Sequence, residues 1–517
     1  MNSFSRREFL QALAAAGATC AAPALRASSA VRFADDPFRL GVASGYPRPD
    51  GAVLWTRLVT DTAREDGGLD PAPIPVRWEV ARDEKFKAIA ASGTLEAAPE
   101  WAHAVHAEPT GLEPDRWYYY RFIAGGAASP IGRMRTAPAV HASPARLRFA
   151  FASCQHYEQG FFSAHRHMLE DELDLVVFLG DYIYESSWGR DHVRKHNSPE
   201  PYTLSDYRLR YALYKSDPDL QAAHRAYPWI MTWDDHEVDN DYANDRAEDG
   251  MPAAQFLARR AGAYQAYYEH MPLPSYMRPE GPGMRIHTEL AWGRLAQFHI
   301  LDGRQYRDHA VCPTKPGGST VVDPEVCRQI LDASRSLLGA EQEAWLARGF
   351  AASRARWNIL AQQTLMAQLD RKPGAGQRFW TDGWDGYPAA RKRLLESMIE
   401  NRLANPVVIG GDVHMHYVAD LKPDFGSETS PVVASEFCGT SISAQAPSQK
   451  SVDALLPDNP HIKFARSEHR GYVRATVDSG KFSADLIALD TVKRQDSKAS
   501  VLARFVVEDA RPGAQRA

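Results

Sequence analysis

This sequence of 517 residues contains no run of about 18 or more apolar residues. A helix needs roughly that length to cross a bilayer, so no permanent membrane span is expected. It also lacks an excess of charge: 60 Lys and Arg face 65 Asp and Glu, for a net −5. Nucleic acids and anionic membrane surfaces select for strongly basic chains, and no specific nucleic-acid binding is expected here. Repeats and low-complexity tracts are missing as well. Cysteine is scarce, at five residues. Cys312 and Cys327 bracket the Pro/Gly-rich "CPTKPGGSTVVDPEVC", where an oxidising compartment would allow a disulfide; spacing alone does not decide the pairing. What the chain does have is size and apolar content. Its length exceeds one ordinary domain, and 44% hydrophobic with 24% charged residues describes a soluble globular protein.

The first 30 residues stand apart. "SRREFLQALAAAGATCAAPALRASSA" places Arg6 and Arg7 before a mild Ala-rich run and ends in small residues at Ser28 and Ala30. That is the layout of a cleavable secretory signal. "SRREFL" resembles the twin-arginine export motif, which names the twin-arginine translocase as a partner and a periplasmic or secreted destination. Cleavage would remove Cys20.

Two rhythms follow. Over 38–138, short alternating runs such as "VRWEVAR" and "RWYYYRFIAG" are separated by Pro, Gly and Asp turns. Period-2 alternation with aromatic and β-branched residues predicts an antiparallel sandwich, and "GLEPDRWYYYRF" looks like the Tyr-rich strand of fibronectin-type modules. Arg135–Arg146, "RTAPAVHASPAR", reads as a linker. Over 146–507, buried-type strands alternate with helix-period segments, which predicts an α/β core. Ligands in such folds gather beyond the carboxyl ends of strands.

Four strand ends carry chemistry: Cys154 in "FASCQ", Asp181 and Tyr184 in "GDYIYE", Asp234 to Glu237 in "WDDHE", and Asp412, His414 and His416 in "GGDVHMH". One such Asp alone is more often a turn or cap residue, and one buried Cys is more often packing. Four clusters in one topological position are hard to reconcile with packing, because buried unpaired carboxylates repel and cost several kcal/mol each. A multivalent cation removes that cost. Carboxylate, imidazole, phenol and thiol together suit iron or zinc beside a harder ion.

"FASCQHYEQGFF", "FLGDYIYE", "TWDDHEVDNDYAND", "LDGRQYR" and "GGDVHMHY" closely resemble the motifs of the alkaline phosphatase D (PhoD-like) family, related to the purple acid phosphatase and metallophosphoesterase group. The resemblance implies a four-layer α/β sandwich of metallophosphoesterase type behind an N-terminal fibronectin-type β-sandwich. It also implies a phosphate-ester hydrolase with one ferric ion and one or more calcium ions. By residue, Asp181 stands where a carboxylate bridges two metals, Tyr184 where a tyrosinate holds iron, and Cys154 where an additional iron ligand sits. Asp235 and His236 match the Asn and His of the wider group's "GNHE". Asp412 and His414 fall where that group has two histidines. The shift toward oxygen ligands favours calcium at the second position. The wider group's "VxxH" ligand has no counterpart, and Gln362 or Gln363 is nearest.

The implied reaction is in-line attack on phosphorus by a hydroxide held between metals about 3.5–4 Å apart. His236 would protonate the leaving alkoxide or bind the phosphoryl group; its alternative is merely to orient Asp235. Arg304 would clamp phosphate, as would Arg307; the alternative for each is a structural ion pair with Asp302 or Asp308. Asn240 and Asn244 read equally well as turn caps. Two other functions stay open: a secreted phosphodiesterase or phospholipase D-type enzyme on the same metals, and a non-catalytic surface-binding protein with a vestigial site.

Overall fold

A computed structural model describes residues 32–517; the signal-type segment and Cys20 lie outside the described residues. The architecture turns on strands with no polar face. Leu175–Leu179, "LVVFL", is buried along its whole length. It pairs in parallel with Leu147–Ala152 on one side and Pro228–Thr232 on the other. Strands covered on both faces read as continuous apolar runs, and these three do.

They sit inside a ten-stranded sheet. Antiparallel strands Gly471–Val477, Lys481–Leu489, Ala499–Glu508 and Arg511–Arg516 extend one flank. A seven-stranded sheet faces it, with parallel strands Ala296–Ile300, Trp357–Ala361, Pro406–Gly410 and Ala434–Cys438 at its centre. The two sheets share one core, in which Phe149 meets Phe298 edge to face at 5.3 Å and Phe437 stacks on Phe482 at 5.5 Å. Helices Leu204–Lys215 and Ala253–His270 cover the larger sheet. Ala340–Ala352 and Pro388–Glu400 close a second core against the smaller one. Helix, sheet, sheet and helix make the four layers the resemblance implied.

The N-terminal part is β-rich, as the alternation foretells. Trp117–Ala124 alternates half-buried and buried residues, sending Tyr118, Tyr120 and Phe122 inward. It belongs to a five-stranded sheet that packs through Val76, Val80 and Phe122 onto Val42–Arg48, Gly51–Arg57 and Ala104–Ala107. Those last three strands are also the end of the ten-stranded sheet, because Val42–Arg48 runs parallel to Pro228–Thr232 with Ser44 opposite Pro228. One sheet of the sandwich is thus continuous with the α/β core. Alternation reports which face is buried but not against what. The Pro/Ala-rich segment read as a linker is also anchored: Ala142 carbonyl accepts from Arg294 N–H at 2.8 Å, and Ala137 N–H donates to Arg48 carbonyl at 3.0 Å.

Cys312 and Cys327 are joined as a disulfide, while Cys154 and Cys438 are free and buried. No helix among the described residues is long and apolar enough to cross a membrane.

Candidate metal centre

Parallel strands that start together end together, and their carboxyl ends here open on one cavity. Leu175–Leu179 ends at Gly180, with φ +109°. A Cβ on Gly180 would meet the Asp234 Cβ at 2.5 Å and backbone of Trp233 at 2.9 Å. Only glycine lets the two strand ends approach so closely. The residues beyond them are held in unusual backbone conformations: Cys154, Asp181, Asp412 and His414 have φ of +60°, +56°, +62° and +57°. Non-glycine residues there carry strain of about 1 kcal/mol or more and persist where the surroundings dictate them.

Asp181 is the hub. Its carboxylate lies with Cys154 and His414, with Asp235 and His236, and with Asp234 and Asp412, in three groups whose donor atoms fall within 4.8 Å of one another. The buried Tyr184 hydroxyl donates to Asp181 Oδ2 at 2.9 Å and sits 3.1 Å from His414 Nε2. His414 Nδ1–H donates to the Gln445 carbonyl at 2.6 Å, which leaves Nε2 as the free nitrogen facing Tyr184. Seven of the residues singled out from the sequence therefore meet here: Cys154, Asp181, Tyr184, Asp235, His236, Asp412 and His414.

The electrostatics favour a cation. Burial, reinforced by Asp181 and Asp412, raises the Cys154 thiol well above its ordinary value; burial with Asp181 and Cys154 does the same to the Tyr184 phenol. Asp181 is raised by burial and by Asp235 despite the opposing pull of His236. Asp412 is raised by desolvation and by Asp234 and Asp382. Burial, with Arg470 nearby, pushes His414 down to about 3, so it is neutral. Asp181 Oδ1 and Asp234 Oδ2 are buried without a hydrogen-bond partner. Such a set of donors stays protonated or unpaired until a multivalent ion reverses the preference, and in that respect the residues fit a metal centre.

A second acidic group, Asp235, Asp241 and Asp382, lies beside the first. Arg304 decides its character. The guanidinium is completely buried: Nε donates to Asp234 Oδ1 at 2.5 Å, and Nη1 and Nη2 donate to the two Asp382 oxygens at 2.7 and 2.8 Å. Nη2 is also 3.4 Å from Asp235 Oδ2. Arg304 does not line the cavity, so the phosphate clamp expected of it is corrected to a counter-cation beneath the carboxylates. Arg307 likewise serves Asp382 and the Gly303 carbonyl. Both arginines are structural, as their alternative reading had it, but their partner is Asp382 rather than Asp302 or Asp308. Burial works against the Asp235 charge, yet Arg304 and His236 hold it below its ordinary value. Asp234 is pushed up to about 6 by burial, and Asp241 to about 7 by burial with Asp382 and Asp235.

His236 lines the cavity, packs against the Tyr184 ring at 4.1 Å between centroids with the planes tilted by 34°, and has its Nδ1 2.6 Å from Glu185 Oε2. Burial opposes its charge, but Glu185, Asp235 and Asp181 outweigh that and raise it well above its ordinary value. Neither glutamine reaches the centre. The Gln363 amide is used by Thr232, Leu301 and Gly303, and Gln362 Oε1 by Thr364 and Trp384. His416 opens the strand His416–Leu421, accepts from Thr440 N–H just past the neighbouring strand Ala434–Cys438, and stays outside the acid groups. Asn240 lines the cavity and donates to Glu248, whereas Asn244 faces a different pocket.

Sequence reasoning passed over Asp382, Asp241, Glu185 and Thr364, whose hydroxyl donates to Asp412 Oδ2 at 2.6 Å. Asp382 follows only the two-residue strand Phe379–Trp380 and reads as a turn. Glu185 carried a signal: it closes the same motif as Asp181 and Tyr184.

Comparison with known proteins came out on one side. A family model described as PhoD-like phosphatase matches residues 149–486, and one described as PhoD-like phosphatase, N-terminal domain, matches 22–138. The chain is 43% identical to alkaline phosphatase D of Bacillus subtilis (strain 168), an alignment that covers all of this chain and 89% of that protein. A solved structure of PhoD superposes with a TM-score of 0.89 at 44% identity, covering 94% of this chain and 93% of the other.

Proposed function

The chain belongs to the PhoD-like phosphatase family, and on that premise we propose that it is an exported, metal-dependent hydrolase releasing phosphate from phosphoric esters. The observation that carries the reading is the Asp181 carboxylate, central to three donor groups and with Oδ1 unpartnered. Cys154, Tyr184, Asp181 and His414 would hold ferric iron, and Asp181, Asp235 and Asp412 the calcium side, where oxygen donors dominate. When bound, the two metals would acidify a water and neutralise charge on the phosphoryl oxygens.

The remaining work belongs to side chains. His236 sits in the cavity wall with Nδ1 fixed by Glu185, so its Nε2 is oriented to hand a proton to the departing alkoxide. Arg304 and Arg307 fix Asp382 and, with it, the spacing of Asp234 and Asp235. The Thr364 hydroxyl and the Gln445 carbonyl set the directions of Asp412 and His414.

The cavity volume, 850 Å³, leaves room for a second substituent on phosphorus and favours diesters beside monoesters. Hydrolysis of 4-nitrophenyl phosphate against its bis-ester separates the two, and loss of both activities in chelator with recovery on added calcium is expected. Full activity in excess chelator would overturn the metal dependence. The Arg6–Arg7 pair supports export through the twin-arginine route to the periplasm or medium. Replacing both by Lys should hold the precursor inside the cell, and normal export of that variant would sink the route.

A further inference from the structure

The cavity is larger than the phosphoryl group it serves and has two kinds of wall. Its floor is acid and imidazole. Above the floor the lining turns apolar, with Leu369, Trp380, Met415 and Leu455. Set in that apolar wall is Arg371, the one arginine or lysine among the lining residues.

Arg371 is presented by a fixed backbone. It opens the turn Asp370–Arg378, where its N–H donates to the Arg378 carbonyl at 2.8 Å, and Asp370 Oδ1 accepts from Lys372 and Arg378 N–H at 2.9 Å each. The guanidinium lies over the Trp380 ring, 5.0 Å from its centroid. Among the described residues it has no hydrogen bond and no carboxylate within 4.0 Å. The neighbouring Asp385 is engaged by Arg391 at 2.6 Å. A planar, weakly hydrated cation stacked on indole keeps its donor fork ordered and open. Apolar surroundings strengthen whatever anion meets it. The floor attends to the scissile phosphate, so this cation is left for something else.

We propose that Arg371 binds a second anionic group on the alcohol portion of the substrate, so that the enzyme prefers esters whose alcohol carries a further phosphate or carboxylate. The apolar wall between Arg371 and the floor covers the carbon chain that joins the two anions. This rests on the phosphatase reading and names its substrate class. Guanidinium pairs bidentately with either anion, and the experiment separates them.

The test uses the full-length, metal-loaded protein and three monoesters: 4-nitrophenyl phosphate, propane-1,3-diol bisphosphate and 4-phosphooxybutanoate. Wild type is expected to favour one or both doubly anionic esters in kcat/KM. Arg371→Gln should lower that preference about 10- to 100-fold, mainly through KM, with Arg371→Lys intermediate. The ester that loses most identifies phosphate or carboxylate as the group recognised. Calorimetric binding of propane-1,3-bisphosphonate, which has no ester bond to cleave, and of inorganic phosphate supplies a readout without turnover, and R371Q should weaken only the former by tenfold or more. An unchanged preference in R371Q, an equal fall for all three esters, or a fall in kcat alone would overturn the proposal. Binding that depends on Arg371 without turnover in wild type would overturn the phosphatase reading and leave this one standing.

Discussion

The Cys154–Tyr184–His414 side of the acid cluster and the Asp235–Asp241–Asp382 side share a wall of carboxylates but are neutralised differently. On the first side no arginine or lysine among the described residues pairs with Asp181, and Cys154, Tyr184 and Asp181 are all driven toward their protonated forms. On the second, Arg304 reaches Asp234, Asp235 and Asp382 together, and Asp235 stays charged. A built-in cation fixes geometry before any metal arrives. Its absence leaves a site whose charge balance waits for the ion.

The largest expected effect comes from Asp181→Asn, which removes the charge common to both sides. Turnover should fall by about a thousandfold or more, since a metal contributes several kcal/mol of transition-state charge stabilisation. Metal analysis should show losses on both sides; a variant that keeps its full complement would break the hub assignment. Next is Arg304→Met. Removing one partner of a buried ion cluster costs about 3–5 kcal/mol, so denaturant unfolding should reveal a marked loss of stability. Any visible absorption from iron should survive, because Arg304 pairs with Asp234, Asp235 and Asp382 and with none of Cys154, Tyr184 and His414. Loss of the band in a folded variant would contradict that division.

Tyr184→Phe should have a smaller effect on rate, about tenfold to a hundredfold, but should weaken or shift the charge-transfer colour expected of an iron phenolate. The ring and its packing against His236 remain, so the fold should hold. An unchanged spectrum in an iron-loaded variant would show that Tyr184 does not touch the metal. The gentlest test is pH. In metal-stripped protein, Asp234 at about 6 and Asp241 at about 7 lie above their ordinary 3.8. The folded state therefore binds more protons than the unfolded state between those values. The contribution of these two groups to stability should be fully present below pH about 4 and be lost as pH rises toward 6 and 7, by up to about 1.4 kcal/mol per pH unit for each group. Metal loading should flatten that slope; an identical slope in both forms would mean that these carboxylates do not serve the ion.

The core strands and the donor residues at their ends were readable in advance. "LDLVVFLGD" reads as a strand buried on both faces, and parallel strands deliver whatever follows them to one edge of the sheet. That is why Cys154, Asp181, Asp235 and Asp412 converge although 258 positions separate the first from the last. Arg304 was the miss. Its motif resembles a phosphate clamp, but orientation was set by Asp382, 78 residues on. Asp382 gives no signal of its own because its preceding strand is only two residues long. The shared sheet at the N-terminal end was equally hidden, since period-2 alternation is the same whichever neighbour a strand pairs with.

By itself, then, the sequence determined the elements and the chemical types at their ends, because periodicity and strand polarity are local properties written residue by residue. Only the tertiary structure decided which carboxylates would own an internal cation, which would wait for a metal, and that the N-terminal sandwich would lend a sheet to the core. Those outcomes depend on pairings between segments tens to hundreds of residues apart, and the energy of a buried charge is fixed by its neighbours in space rather than in the chain.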